Sequence, residues 1–220
     1  MHTDLVRQLA VRADRLTQTL EATPLVGDVI AGKATADTYR RFLGVSYQYV
    51  RWSGHLLALT AAGLRRRARY PRLAELVSSK AAEEAPHDRW ALADLAACGG
   101  NVDEATCAPL PRAIVAYVAW AEALAESGSP GYLGAAYLLE GISWRRASVA
   151  ARRLREAKEI PHVDEAVTFL EAHGEADASH IAALDDAMAV LDGGPDVAEV
   201  LTSADTLSIL YPRFFAAETR

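Results

Sequence analysis

The sequence predicts an all-α fold, a single helical domain over residues 1–220, and three observations carry that expectation. Apolar residues recur at three- and four-residue intervals along nearly the whole chain, the spacing of one helix face. Ala, Leu, Arg and Glu, all strong helix formers, dominate the composition. No stretch alternates apolar and polar residues as a half-buried strand does, and no period of 20–50 residues repeats.

About seven helices follow from the breaks. Thr3 or Asp4 caps a first helix whose stripe is Leu5, Leu9, Leu16 and Leu20, and Thr23-Pro24 ends it. A short segment over Leu25–Ile30 leads to Gly32-Lys33. Thr35 opens a long second helix through Tyr39, Phe42, Val45, Tyr49, Trp52 and Leu56 to Tyr70-Pro71. A third runs from Arg72 to Cys98 and contains Pro86, which removes one backbone bond and interrupts or kinks it. After Gly99-Gly100-Asn101, Pro109 and Pro111 precede a fourth helix that stops at Ser127-Gly128-Ser129. Pro130 opens a fifth to Lys158, and Pro161 a sixth to Gly193-Gly194. Pro195 starts a short terminal helix, with a tail after Tyr211-Pro212.

Composition narrows the function. Hydrophobic residues make up 51% and charged residues 24%, ordinary values for a soluble globular protein. The net charge of −6 gives no sign of a nucleic-acid partner, and the one dense basic run, Arg65-Arg66-Arg67-Ala-Arg69, suits a helix C-terminus. No apolar run reaches the roughly 20 residues of a membrane span, and the N-terminus does not read as a signal peptide. Cys98 and Cys107 form neither a CxxC pair nor a disulfide framework, so a reduced cytoplasmic setting is the expectation.

Three clusters carry candidate chemistry. In His173-Gly-Glu-Ala-Asp-Ala-Ser-His180, the side chains of His173, Asp177 and His180 fall within roughly 60° of one another on a helix. Two imidazoles around a carboxylate suit iron, manganese or zinc; the alternative is a solvated helix that happens to carry two histidines. In the third helix Glu84 and His87 stand three apart, the Glu-x-x-His spacing of carboxylate-bridged di-iron bundles, with Glu83 nearly as well placed. In the fifth, Glu140 follows an apolar turn, where a carboxylate must be paired, protonated or metal-bound. A salt bridge to Arg145 or Arg146 is the competing account. Together the clusters offer three carboxylates and three imidazoles and no thiolate, a donor set that fits two irons better than a structural zinc.

On these residues the sequence resembles the heme-oxygenase-like di-iron oxidases and oxygenases. The segment Gly134-Ala-Ala-Tyr-Leu-Leu-Glu140-Gly resembles a helix shared across heme-oxygenase-like folds. Glu84-x2-His87, Glu140 and His173-x3-Asp177-x2-His180 match the family's metal motifs in order and at comparable separations. The resemblance implies a seven-helix heme-oxygenase-like bundle with two Fe ions, no heme, and dioxygen activation. It also implies N-oxygenation, desaturation or oxidative C–C cleavage of a small metabolite such as an amino acid or fatty-acid-like compound. Its implied metal ligands are Glu84, His87, Glu140, His173, Asp177 and His180, with Glu83 as the alternative to Glu84. Dioxygen, an electron donor and a second copy of the chain are the implied partners beside the substrate, with neither nucleic acid nor membrane among them.

Tyr47, Tyr49, Trp52, His55, Trp90 and Trp144 are candidate pocket walls, although each also suits a core. Arg51 or Arg145 is a candidate for holding a substrate carboxylate. Two enzyme relatives and one non-enzyme compete with this reading. A heme oxygenase needs a histidine ligand early in its first helix, where only His2 precedes His55. A thiamine-salvage hydrolase needs a cysteine on the helix bearing Tyr137 and Glu140. A non-enzymatic helical interaction protein leaves six ligand-type residues without a role.

Overall fold

In the computed structural model, residues 2–191 and 193–216 are described, without the side chains of residues 2, 3 and 175–180. The described residues form helices and no strand. Among the described residues there are eleven α-helices rather than about seven: α1 (His2–Glu21), α2 (Pro24–Ala31), α3 (Ala36–Val50), α4 (Ser53–Arg67), α5 (Pro71–Glu84), α6 (His87–Ala97), α7 (Val102–Cys107), α8 (Arg112–Glu126), α9 (Tyr132–Ala157), α10 (Thr168–Ala189) and α11 (Pro195–Phe214).

The additional helices come from breaks inside expected ones. The long second helix divides at Arg51-Trp52, where Trp52 N–H bonds the Tyr49 carbonyl three residues back before Leu56 N–H resumes the four-residue ladder at Trp52. The third divides at Ala85-Pro86, because Pro86 has no N–H to continue the ladder. Two expectations near the C-terminus are corrected. Pro161 does not open a helix: His162 is left-handed at φ 50°, a 3-10 turn follows at Val163–Glu165, and α10 starts only at Thr168. The terminal helix is not short either, since α11 is 20 residues long and runs through Pro212 to Phe214. Pro212 costs it one backbone bond only, within its last turn.

The organising element is α9, whose 26 residues extend about 39 Å. It packs against α10 most extensively, then against α11, α1 and α2. Glycines let these backbones come close. A Cβ at Gly134 of α9 would lie 1.9 Å from the Val200 carbonyl oxygen of α11. A Cβ at Gly174 of α10, one residue after His173, would lie 2.0 Å from Ser148 Oγ of α9. The stripe Leu5, Leu9, Leu16 and Leu20 of α1 is buried, as its spacing predicts.

The start of α10 is held from a distance. Its own sequence supplies no side-chain cap. Instead Asp94, fully buried on α6, accepts a hydrogen bond from Phe169 N–H at 2.7 Å. The Phe169 carbonyl in turn accepts from His173 Nδ1 at 2.7 Å. The backbone of one residue, Phe169, therefore connects the Asp94 carboxyl to the orientation of the His173 ring. Nearby, Tyr39 of α3 donates to the Ala166 carbonyl at 2.7 Å, fixing the segment that enters α10.

Burial pushes the Asp94 carboxyl up to about 6 from 3.8, although the Phe169 N–H works in the opposite direction. Between about pH 4 and pH 6 the native state thus keeps a proton that the unfolded chain has released, and stability falls as pH rises through this window. Asp94→Asn keeps an acceptor and removes the proton, so the difference in melting temperature between wild type and variant should change between pH 4 and pH 7. A constant difference would contradict the assignment. Asp94→Ala should cost about 1–3 kcal/mol by leaving the Phe169 N–H buried and unpaired, read by denaturant unfolding.

Candidate metal centre

The break at Ala85-Pro86 places two polar side chains at a helix junction. Glu84 is the last residue of α5 and His87 the first of α6, and both are buried. Glu83 points outward and is exposed, with Ser79 Oγ at 3.4 Å from its carboxylate. Glu84 is therefore the carboxylate of this pair that reaches the interior. His87 Nδ1 lies 3.0 Å from Glu84 Oε2, but the atoms are not aligned as a hydrogen bond and the nitrogen has no hydrogen-bond partner among the described residues. His87 Nδ1 is thus a buried polar atom without a hydrogen-bond partner beside a buried carboxylate, an arrangement that a cation could complete.

His173 approaches from α10. Its ring meets that of His87 edge-on, with centroids 4.8 Å apart. One ligand atom from each of Glu84, His87 and His173 can be chosen so that all lie within 4.8 Å of one another. Burial lowers the His173 pKa, so its imidazole is neutral at pH 7. With Nδ1 donating to Phe169, the lone pair lies on Nε2. Trp90 stacks on His87 at 4.3 Å and restricts that ring as well.

Glu140 enters from α9. Neither arginine expected beside it is its partner: Arg145 pairs with Asp14, and Arg146 with Glu21. Its carboxylate lies 2.7 Å from Lys80 Nζ, and the same ammonium is 2.8 Å from Glu84 Oε1. Lys80 escaped the sequence reading, although a signal existed. It falls on the stripe Leu73, Val77, Ala81 and Glu84, the buried face of α5. A lysine at core spacing implies buried carboxylates nearby.

Of the six expected ligands, Glu84, His87, Glu140 and His173 are thus brought together. The side chains of Asp177 and His180 lie outside the described residues. Glu84, Glu140 and His173 also form part of the wall of a cavity of about 100 Å³, whose remaining lining is largely apolar. Tyr49, a candidate wall residue, lines it together with Phe169, Tyr211 and Phe215, which were not anticipated. Tyr49 and Tyr211 share a hydrogen bond of 2.7 Å.

Other expected wall residues stand elsewhere. Trp144 is 49% exposed, lies under the Arg145 guanidinium and does not line the cavity. His55 is also exposed and bonds Glu122 on α8. Trp52 and Tyr47 lie beside Arg51 and do not line the cavity. Arg145 bonds Asp14 and does not line the cavity.

The donor set fits iron by its chemistry, with two carboxylates and two imidazoles and no thiolate. A sequence model of a family described as iron-containing redox enzymes matches residues 40–204, which is 165 of the 220 residues. The chain belongs to this family. No curated protein matches the sequence. Among solved structures, the chain is similar to a domain of unknown function with a heme oxygenase-like fold from Shewanella denitrificans OS217. The TM-score is 0.81 at 21% identity, over 97% of this chain and 89% of that one. It is also similar to a TenA homolog from Pseudomonas syringae pv. tomato DC3000, with a TM-score of 0.75 at 16% identity over 95% and 90% of the two chains. The heme-oxygenase-like fold implied by the sequence motifs is therefore the fold observed. No helix among the described residues is long and apolar enough to cross a membrane.

The geometry of His173 predicts its tautomer. In the metal-free protein at pH 7, nitrogen-15 NMR should show a neutral ring with the proton on Nδ1 and a bare Nε2. An imidazolium, or a proton on Nε2, would contradict the Phe169 contact.

Proposed function

We propose that this chain is a non-heme di-iron oxidase or oxygenase that uses dioxygen on a small metabolite. The observation that carries the reading is the meeting of Glu84, His87, Glu140 and His173, from four helices, with Glu84, Glu140 and His173 on the wall of one largely apolar cavity. These residues would hold the metal, with Asp177 and His180 completing the set on the same helix as His173. Bound ferrous ions would supply the redox capacity that carboxyl and imidazole groups lack.

The remaining work belongs to the chain. Carboxylates bring the negative charge that two divalent cations require, and the neutral His173 presents a lone pair without first losing a proton. Phe169 and Trp90 pack against the imidazoles and hold their rings. Ile142, Leu139, Leu170 and Phe42 surround the cavity and keep bulk water from a substrate lodged there. The apolar lining favours a substrate that presents hydrocarbon next to the reacting group.

The thiamine-salvage alternative requires a nucleophilic cysteine in the cavity. Cys98 is buried beside the Leu95 carbonyl with its thiol pushed up by burial, and Cys107 is exposed; neither lines the cavity. Likeness to the TenA homolog therefore supports the fold and not that chemistry.

Anaerobic titration with ferrous iron, followed by oxygen, tests the proposal. Wild type should take up about two irons per chain and then consume oxygen. Glu140→Gln and Asp177→Asn should each lower iron uptake and oxygen consumption by tenfold or more, on the order of other metal-site lesions, while leaving helical content unchanged. Iron uptake below one per chain in wild type, or oxygen consumption indifferent to both substitutions, would overturn it.

A further inference from the structure

Lys80 is a buried cation at the point where metal binding needs free carboxylates. Its side chain is only 11% exposed, and its ammonium lies between two carboxylates, 2.8 Å from Glu84 Oε1 and 2.7 Å from Glu140 Oε1. These come from different helices, α5 and α9, so the ammonium also bridges two elements of the fold. Burial works against its charge, but Glu140 and Glu84 outweigh burial and raise its pKa, so it is an ammonium ion at neutral pH.

The position follows from the sequence. Lys80 is four residues before Glu84, one helical turn away, and the orientation of the pair runs opposite to the more favourable glutamate-first order. Helix geometry alone is therefore a weak reason for the contact. The stronger reason is electrostatic. Glu84 and Glu140 converge in a poorly solvated wall, and two like charges there would raise each other's pKa or push apart unless a cation stands between them. The two glutamate oxygens that Lys80 holds cannot at the same time be bare donors to a divalent ion.

We infer that Lys80 is an internal competitor for metal at the Glu84–Glu140 pair: its ammonium holds the carboxylates together in the metal-free protein and must leave them when metal binds. The inference rests on the metal-binding reading above. It assigns the lysine two opposite effects. It stabilises the metal-free fold, and it weakens metal binding, because each ion must first displace a cation already in place. Its long, flexible stem makes the displacement feasible without moving α5. A lysine with a purely structural role would show the first effect without the second.

Manganese(II), which does not react with oxygen under these conditions, serves as the probe. Binding to the full-length metal-free protein is measured by calorimetry and electron paramagnetic resonance, in wild type and in Lys80→Met, whose side chain has similar volume and no charge. The variant should bind manganese about tenfold or more tighter, within the usual range of couplings between competing ligands, while its metal-free form melts at lower temperature. Unchanged or weaker binding by a folded variant, with wild type still binding, would overturn the competition and leave the metal site standing. No manganese binding by either protein would overturn both.

Should Lys80→Met fail to fold, wild type alone decides the matter. Brief acylation with acetic anhydride, read by mass spectrometry, should modify Lys80 slowly in the metal-free protein and at least several times faster with manganese present, as the amine leaves the carboxylates. Equal or slower modification with manganese would overturn the inference.

Discussion

Carboxylates gathered inside a helical bundle must be compensated, and this requirement governs the arrangement around the cavity. Each carboxylate taken from water loses hydration that only hydrogen bonds, protons or cations can replace. The protein uses a different answer at each position. Glu84 is held well enough by His87 and Lys80 that its pKa is lowered despite burial. Asp94 keeps its proton to higher pH while accepting from the end of a helix. Glu140 shares an ammonium with Glu84. These contacts pull α5, α6, α9 and α10 toward one place, and the apolar packing of α1, α2 and α11 closes around them.

Close backbone approach makes that convergence available. Gly134 and Gly174 let α11 and α10 come against α9 at distances that a single methyl group would prevent. Because Gly174 is adjacent to His173, a close point of the α9–α10 contact lies beside the imidazole. Helices, rather than loops, therefore carry Glu84, His87, Glu140 and His173, which suits groups that must hold their separation.

Much of this was legible in the chain itself. Helical periodicity gave the fold class, and the spacing of Glu84, His87, Glu140 and His173 marked the residues that meet. The failures have physical causes. Helix number was underestimated because a turn such as Arg51-Trp52 contains neither glycine nor proline, and only its tightened hydrogen bonds reveal it. The start of α10 was misplaced because its cap, Asp94, lies 75 residues away in sequence. Trp144 and His55 were assigned to the pocket by residue type, whereas their positions on α9 and α4 direct them outward. Lys80 was passed over since lysine ordinarily reads as surface, and only its place on a buried stripe says otherwise.

The bond pair at Phe169 has a further consequence for how sequence change will be felt. Asp94 and His87 occupy the same buried face of α6, seven residues apart, and Asp94 reaches His173 through the backbone N–H and carbonyl of Phe169. The two imidazoles are in this way mounted on a common frame that includes neither glutamate. Homologues that exchange Asp94 for another residue should therefore carry a compensating change at the entry to α10, and a library selected for function would recover the two positions together.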